Sequence, residues 1–269
     1  MVDWFIELSP VWQALIGTLF TWFMTAAGAS LVWFSNKDST RFMDSMLAFA
    51  AGVMIAASFW SLLAPSIEMA EEQGILPFVP PVIGFLLGGA FLLLLDQVVP
   101  MLDPDRYFPE IKDPRSKHRT FMLVSSITLH NIPEGLAIGV AFGALAGNFS
   151  EAGLAGAIAL AIGIGIQNFP EGTAVSLPLQ REGMSKKKSF FYGQFSGFVE
   201  PVAALLGAWA VVVIEPLVPY ALSFAAGAMI FVVAKEAIPA SQERGHVRLT
   251  TAALMVGFSI MMILDVSLG

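Results

Sequence analysis

The 269-residue sequence contains no cysteine, only three histidines and three tyrosines, and charged residues make up just 13% of it. Without cysteine there are no disulfides, no thiolate metal sites and no thiol nucleophile. Two of the three histidines, His118 and His246, fall in or near predicted connections, and no His-Glu-x-x-His occurs. That leaves one imidazole, His130, for any buried site, whereas catalytic zinc ordinarily takes more than one histidine or cysteine. Acidic residues outnumber basic ones, 21 to 14, so no nucleic-acid partner is expected.

What fills the chain instead is apolar. Hydrophobic residues reach 56% and the mean hydropathy is +0.74, which with long apolar runs implies an all-α integral membrane protein whose immediate partner is the lipid bilayer. The N-terminus carries Asp3 and Glu7 where a signal peptide would have a basic region, so it reads as mature sequence.

At about 20 residues per span, eight transmembrane helices are predicted, near 11–34, 42–65, 76–100, 120–146, 152–179, 188–214, 217–239 and 247–268. They make one polytopic domain, 1–269, and the connection 101–119, rich in Pro, Asp, Lys and Arg, reads as a solvated loop. All 14 basic residues fall in alternate connections: Lys37 and Arg41; Arg106, Lys112, Arg115, Lys117 and Arg119; Arg181, Lys186, Lys187 and Lys188; Lys235, Arg244 and Arg248. By the positive-inside rule these connections are cytoplasmic and both termini are extracytoplasmic. Gly84, Gly88, Gly89, Gly153, Gly156, Gly163 and Gly165 read as positions of close helix packing.

Polar groups interrupt the fourth and fifth spans in matching fashion. Leu-His-Asn-Ile-Pro-Glu-Gly runs from Leu129 to Gly135, and Ile-Gln-Asn-Phe-Pro-Glu-Gly returns 37 residues later from Ile166 to Gly172. His130 and Glu134 stand i,i+4 and Asn131 and Glu134 i,i+3, so they share one sector of a helix, and Gln167, Asn168 and Glu171 repeat the arrangement. Ionisable groups at this depth are expensive and mark function. Imidazole, carboxylate and amide oxygen together suit Zn²⁺, Fe²⁺ or Mn²⁺, and two buried glutamates call for a bridging cation or a proton. Pro133 and Pro170 each remove a donor four residues from a carbonyl and predict kinks beside the ligand groups.

Glu200, in Gly-Phe-Val-Glu-Pro of the sixth span, adds a third carboxylate, and Met54 on the second offers a thioether. Lys235 and Glu236 read as an ion pair or as path residues. Asp44, Asp96 and Asp265 lie near span ends and read as interfacial.

The two notches resemble the signature of the Zrt/Irt-like (ZIP) divalent-metal transporters, and Gly-Phe-Val-Glu-Pro resembles the prokaryotic GufA-like branch. The resemblance implies uptake of zinc or a similar metal, cadmium, iron or manganese, as transported substrate and not as cofactor, through a binuclear centre. In the family pattern one metal is held by groups matching Met54, His130, Glu134, Gln167, Glu171 and Glu200, the second by Asn131, Glu134, Asn168, Glu171 and Glu200. Asn168 stands where this branch often has aspartate, so the second position carries one negative charge less. The resemblance further implies that the first, fourth, fifth and sixth helices move against the others, which also form a homodimer contact, in a multi-pass protein of a bacterial inner membrane. Cytoplasmic metal sensing by the 101–119 loop is not expected from His118 alone, unless Asp103, Asp105, Glu110 and Asp113 substitute.

Alternating access by paired repeats fits the matched notches. The alternatives are a metal/proton antiporter running outward and, in a different class, an intramembrane metallohydrolase, which the single available imidazole disfavours.

Overall fold

The computed structural model describes residues 3–34, 40–98, 107–146 and 151–268. Lys37, Asp103, Asp105 and Arg106 lie outside the described residues, as do the side chains of Asp96 and His130. A short helix, α1 (Asp3–Ile6), precedes α2 (Pro10–Ala29), and then come α3 (Thr40–Ala57), α4 (Ala64–Glu72) and α5 (Val79–Val98). Two 31-residue helices follow, α6 (Pro114–Ala144) and α7 (Glu151–Arg181). The chain ends in α8 (Lys186–Ser196), α9 (Val199–Val213), α10 (Val218–Val232), α11 (Ile238–Gln242) and α12 (Val247–Leu268). No strand occurs among the described residues.

Six helical stretches are long and apolar enough to cross a membrane: Pro10–Trp33, Thr40–Glu72, Gly153–Gln180, Lys186–Val213, Val218–Gln242 and Val247–Ser267; Val79–Leu95 is a shorter apolar helix. This is an all-α, multi-pass membrane protein. Of the most apolar window of α7, 61% is buried, against 22% for α12, so α7 runs through the centre and α12 along the edge.

Proline acts in two ways. Pro133, Pro170 and Pro178 sit inside uninterrupted α-helix. Between α3 and α4, and again between α10 and α11, the helix instead widens into a π-turn, Ser58–Leu63 and Val233–Ala237, each just before a proline in the first turn of the next helix, Pro65 or Pro239. The wide turn gives the pyrrolidine ring room where it would meet the carbonyl four residues back. The sixth predicted span is also broken. At Gly197 and Phe198 the chain leaves the α-helix and restarts as α9, with Pro201 in the first turn, where a missing N–H costs least.

Glycine locks the helices in four pairs: α2 on α7, α6 on α9, α5 on α10 and α3 on α12. A Cβ at Gly28 would overlap the Phe169 carbonyl and one at Gly172 the Thr25 carbonyl; at Gly139 it would meet Ala204, at Gly88 Phe224, and at Gly52 Leu254. These are backbone-to-backbone approaches that only glycine permits. Gly84 belongs to the same class, against Ser223 and Tyr220. Gly163 and Gly165 instead receive the side chains of Met261 and Phe20, while Gly89 and Gly156 face open space, so the expectation of close packing fails at those two. The α2–α7 and α6–α9 pairs carry the notch residues; the α3–α12 and α5–α10 pairs meet them where α3 lies on α7 and α10 on α6.

Candidate metal centre

The notches lie on adjoining helices, and the structure brings them together. Gln167 Nε2 on α7 donates to Glu134 Oε1 on α6. Asn168 Nδ2 donates to Glu200 Oε1 at 2.8 Å. The site thus has three carboxylates, those of Glu134, Glu171 and Glu200. All are buried: Glu134 and Glu200 at 0% exposure and Glu171 at 3%. Glu200 occupies the first turn of α9, where the positive end of the helix dipole favours a carboxylate. The break at Gly197 therefore places this acid at a helix N-terminus inside the bundle.

The amides share one orientation. Asn131 Nδ2 donates to the Ser196 carbonyl at 2.8 Å, Gln167 Nε2 to Glu134 and Asn168 Nδ2 to Glu200. Each amide thus turns its nitrogen to a protein acceptor and leaves its carbonyl oxygen over. Eight buried side-chain polar atoms have no hydrogen-bond partner among the described residues, and five of them are notch oxygens: Asn131 Oδ1, Glu134 Oε2, Gln167 Oε1, Asn168 Oδ1 and Glu171 Oε2. Orphaned buried acceptors are costly, and a donor set of carboxylate and amide oxygens is satisfied by a divalent cation. Among the described residues no three histidine or acidic side chains converge as a ready cage; the acids are interleaved with amides.

Met54 is buried at 2% exposure in α3, within the main apolar core. Asp44 and Asp265 are both buried within the fold and held by partners. Asp44, 2% exposed, accepts from Arg244 Nη1 at 2.5 Å and faces His246 Nδ1 at 2.9 Å. Asp265, 7% exposed, accepts from Ser61 Oγ at 2.5 Å. Lys235 Nζ lies 5.6 Å from the centroid of the Phe231 ring.

Sequence reasoning missed two contributors. Thr21 on α2 donates its hydroxyl to Glu200 Oε2; a buried stripe of Thr18, Thr21 and Thr25, at helical spacing in an apolar span, is the signal that pointed to it. The second is Tyr107–Ile111, expected to be solvated. Phe108 and Ile111 are 2% and 1% exposed and pack with Phe121, Ile127, Val175, Leu179 and Met184 in a separate apolar cluster. The segment is tied down by Tyr192 Oη donating to the Tyr107 carbonyl at 3.0 Å and by a Lys188–Glu110 ion pair.

A family profile described as "ZIP Zinc transporter" matches residues 109–265. The chain belongs to the ZIP zinc transporter family. Among ZIP relatives, the Xenopus tropicalis "Zinc transporter ZIP11" is 43% identical, over 97% of this chain and 98% of that protein. The Bordetella bronchiseptica "Zinc transporter ZIPB" is 36% identical over 96% and 82%, and the Myxococcus xanthus "Zinc transporter GufA" 34% over 95% and 98%. The ZIP resemblance read from the notches thus holds, and it extends from bacterial relatives to animal ones.

Proposed function

We propose that this protein carries divalent transition-metal cations, zinc foremost and also cadmium, iron or manganese, into the cytoplasm through a buried binuclear site on α6, α7 and α9. The observation that carries the reading is the set of five unpartnered notch oxygens, which a divalent cation entering as substrate satisfies. His130 and Met54 supply the nitrogen and sulfur ligands of the first position. Asn131 and Asn168 serve the second, which is weaker by charge, and Glu134, Glu171 and Glu200 serve both.

Movement is by alternating access. The α2–α7 and α6–α9 pairs shift as one body against α3–α12 and α5–α10: the backbone-to-backbone approaches at glycine fall within each set, and between the sets Gly163 of α7 receives only the flexible Met261 side chain of α12. Eight spans form one domain over 1–269, with both termini extracytoplasmic and the 101–119 connection cytoplasmic. On that side the cluster of Phe108, Ile111, Ile127 and Val175 closes the way out, lying one helical turn from Asn131 and Glu171. The protein is a transporter and not an enzyme, works as a homodimer and resides in a bacterial inner membrane.

Flux of Zn²⁺, Cd²⁺, Fe²⁺ and Mn²⁺ into proteoliposomes tests the reading. Uptake that is lost in Glu134→Ala and Glu171→Ala is expected. No flux of any of these ions, or equal flux in wild type and both variants, overturns it, and net movement only against an opposed proton gradient identifies an outward antiporter instead.

A further inference from the structure

Glu200 differs from the other two notch glutamates. Glu134 and Glu171 each keep a buried oxygen without a partner among the described residues, whereas both oxygens of Glu200 are held, Oε1 by Asn168 Nδ2 at 2.8 Å and Oε2 by the Thr21 hydroxyl. Thr21 also receives Asn168 Nδ2 at its carbonyl, at 3.3 Å. One residue of α2 therefore touches one proposed ligand on α7 and another on α9. It is fully buried, and its helix is fixed against α7 backbone to backbone, since a Cβ at Gly172 would overlap the Thr25 carbonyl.

The Thr21 hydroxyl has one proton and two acceptors in reach, Glu200 Oε2 and the Thr18 carbonyl at 3.1 Å. A carboxylate is the stronger acceptor. Each Glu200 oxygen has a second lone pair, so one hydrogen bond apiece leaves both oxygens open to a cation while removing the freedom of the side chain to turn away. Residues that orient ligands from behind in this way commonly set metal affinity by 10–100-fold when altered.

We propose that Thr21 is a positioning residue for the transported metal: its hydroxyl, with the Asn168 amide, clasps Glu200 in the orientation that presents it to the cation. This rests on the metal-transport reading. It also gives Asn168 a purpose that an ionised aspartate cannot serve, because a carboxylate has no proton to donate to Glu200, whereas the amide donates and keeps an oxygen free.

Zn²⁺ uptake kinetics in proteoliposomes and equilibrium Cd²⁺ binding to the purified full chain test the proposal on Thr21→Val and Thr21→Ser. For Thr21→Val, KM should rise roughly 10–100-fold with Cd²⁺ binding weakened in parallel and maximal rate kept within about threefold, while Thr21→Ser stays near wild type. Wild-type KM and Cd²⁺ affinity in Thr21→Val overturn the clasp alone. Equal defects in Thr21→Ser and Thr21→Val also overturn it, assigning the effect to side-chain volume. A wild type that neither moves nor binds either metal overturns the transport reading and this inference together. Where Thr21→Val is not monodisperse, Thr21→Ala, which also removes the donor and adds no metal ligand, is judged by the same criteria.

Discussion

Gln167 and Glu134, 33 positions apart in sequence, are joined across the α6–α7 interface by a hydrogen bond from the glutamine amide to the carboxylate. The bond holds the two notches in register, and it leaves Gln167 Oε1 and Glu134 Oε2 without partners among the described residues. Gln167→Leu keeps much of the volume and removes both the donor and the free oxygen. KM for Zn²⁺ is expected to rise about 10–100-fold, as measured by uptake in proteoliposomes; an unchanged KM would separate Gln167 from the metal path.

Two glycines on α7 should respond in opposite ways to alanine. Gly172 lies against the Thr25 carbonyl of α2, whereas Gly156 faces open space. Gly172→Ala forces two backbones apart, an overpacking cost of about 1–3 kcal/mol, which for a chain of this size lowers Tm by roughly 2–4 °C per kcal/mol. Gly156→Ala is expected to stay within about 0.5 kcal/mol of wild type. Thermal unfolding in detergent, followed by light scattering or tryptophan emission, distinguishes them.

Phe108 fills the apolar cluster under the notches. Its truncation to alanine removes a large buried ring, a change that ordinarily costs about 3–5 kcal/mol, and the loss should fall on the docked segment more than on the helix pairs. Hydrogen exchange is expected to accelerate at Tyr107–Ile111 and to remain slow across α5 and α10. Uniform acceleration everywhere would show that the cluster supports the whole bundle.

The same segment should loosen in acid. The hydrogen bond from Lys188 holds the Glu110 carboxyl below its ordinary pKa, against a smaller opposing effect of burial. A carboxyl depressed in the folded state contributes stability that is present above its unfolded value, about 4.3, and is lost as pH falls through the folded value. Protease cleavage near Tyr107–Ile111 is therefore expected to rise as pH drops through and below 4.3, and with salt, which screens an exposed pair. Glu110→Gln should be cleaved readily at neutral pH and show little further change in acid; a wild-type profile in that variant would assign the docking to Phe108 and Ile111 alone.

Much of the helical plan was legible. Apolar runs predict where the long helices lie, because a bilayer demands continuous internal hydrogen bonding from each spanning segment, although the second stretch runs on to Glu72 past the expected 65 and α6 starts at Pro114 before the expected 120. The notches at Leu129–Gly135 and Ile166–Gly172 announce themselves by their cost in an apolar setting. The fate of each proline was not legible. Pro133 and Pro170 are absorbed in α-helix, Pro65 and Pro239 follow π-turns, and Pro201 opens a new helix. A proline fixes its own φ and the loss of one donor, but neighbouring helices decide how the chain makes room. The partners of Asp44 and Asp265 were not legible for a related reason. Distance from a span end gives depth along the helix, and it gives nothing about which residue, Arg244 or Ser61, stands opposite.

The amino-acid sequence by itself determined that this is an all-α membrane protein and which polar residues are too costly to be there without purpose, since both follow from composition and spacing along one chain. Only the tertiary structure decided that the amides of Asn131, Gln167 and Asn168 turn their nitrogens to the protein and leave their oxygens free, and that Thr21 holds Glu200. Those outcomes depend on contacts between helices remote in sequence, and a hydrogen bond between distant residues is set by how backbones approach, which here glycine controls.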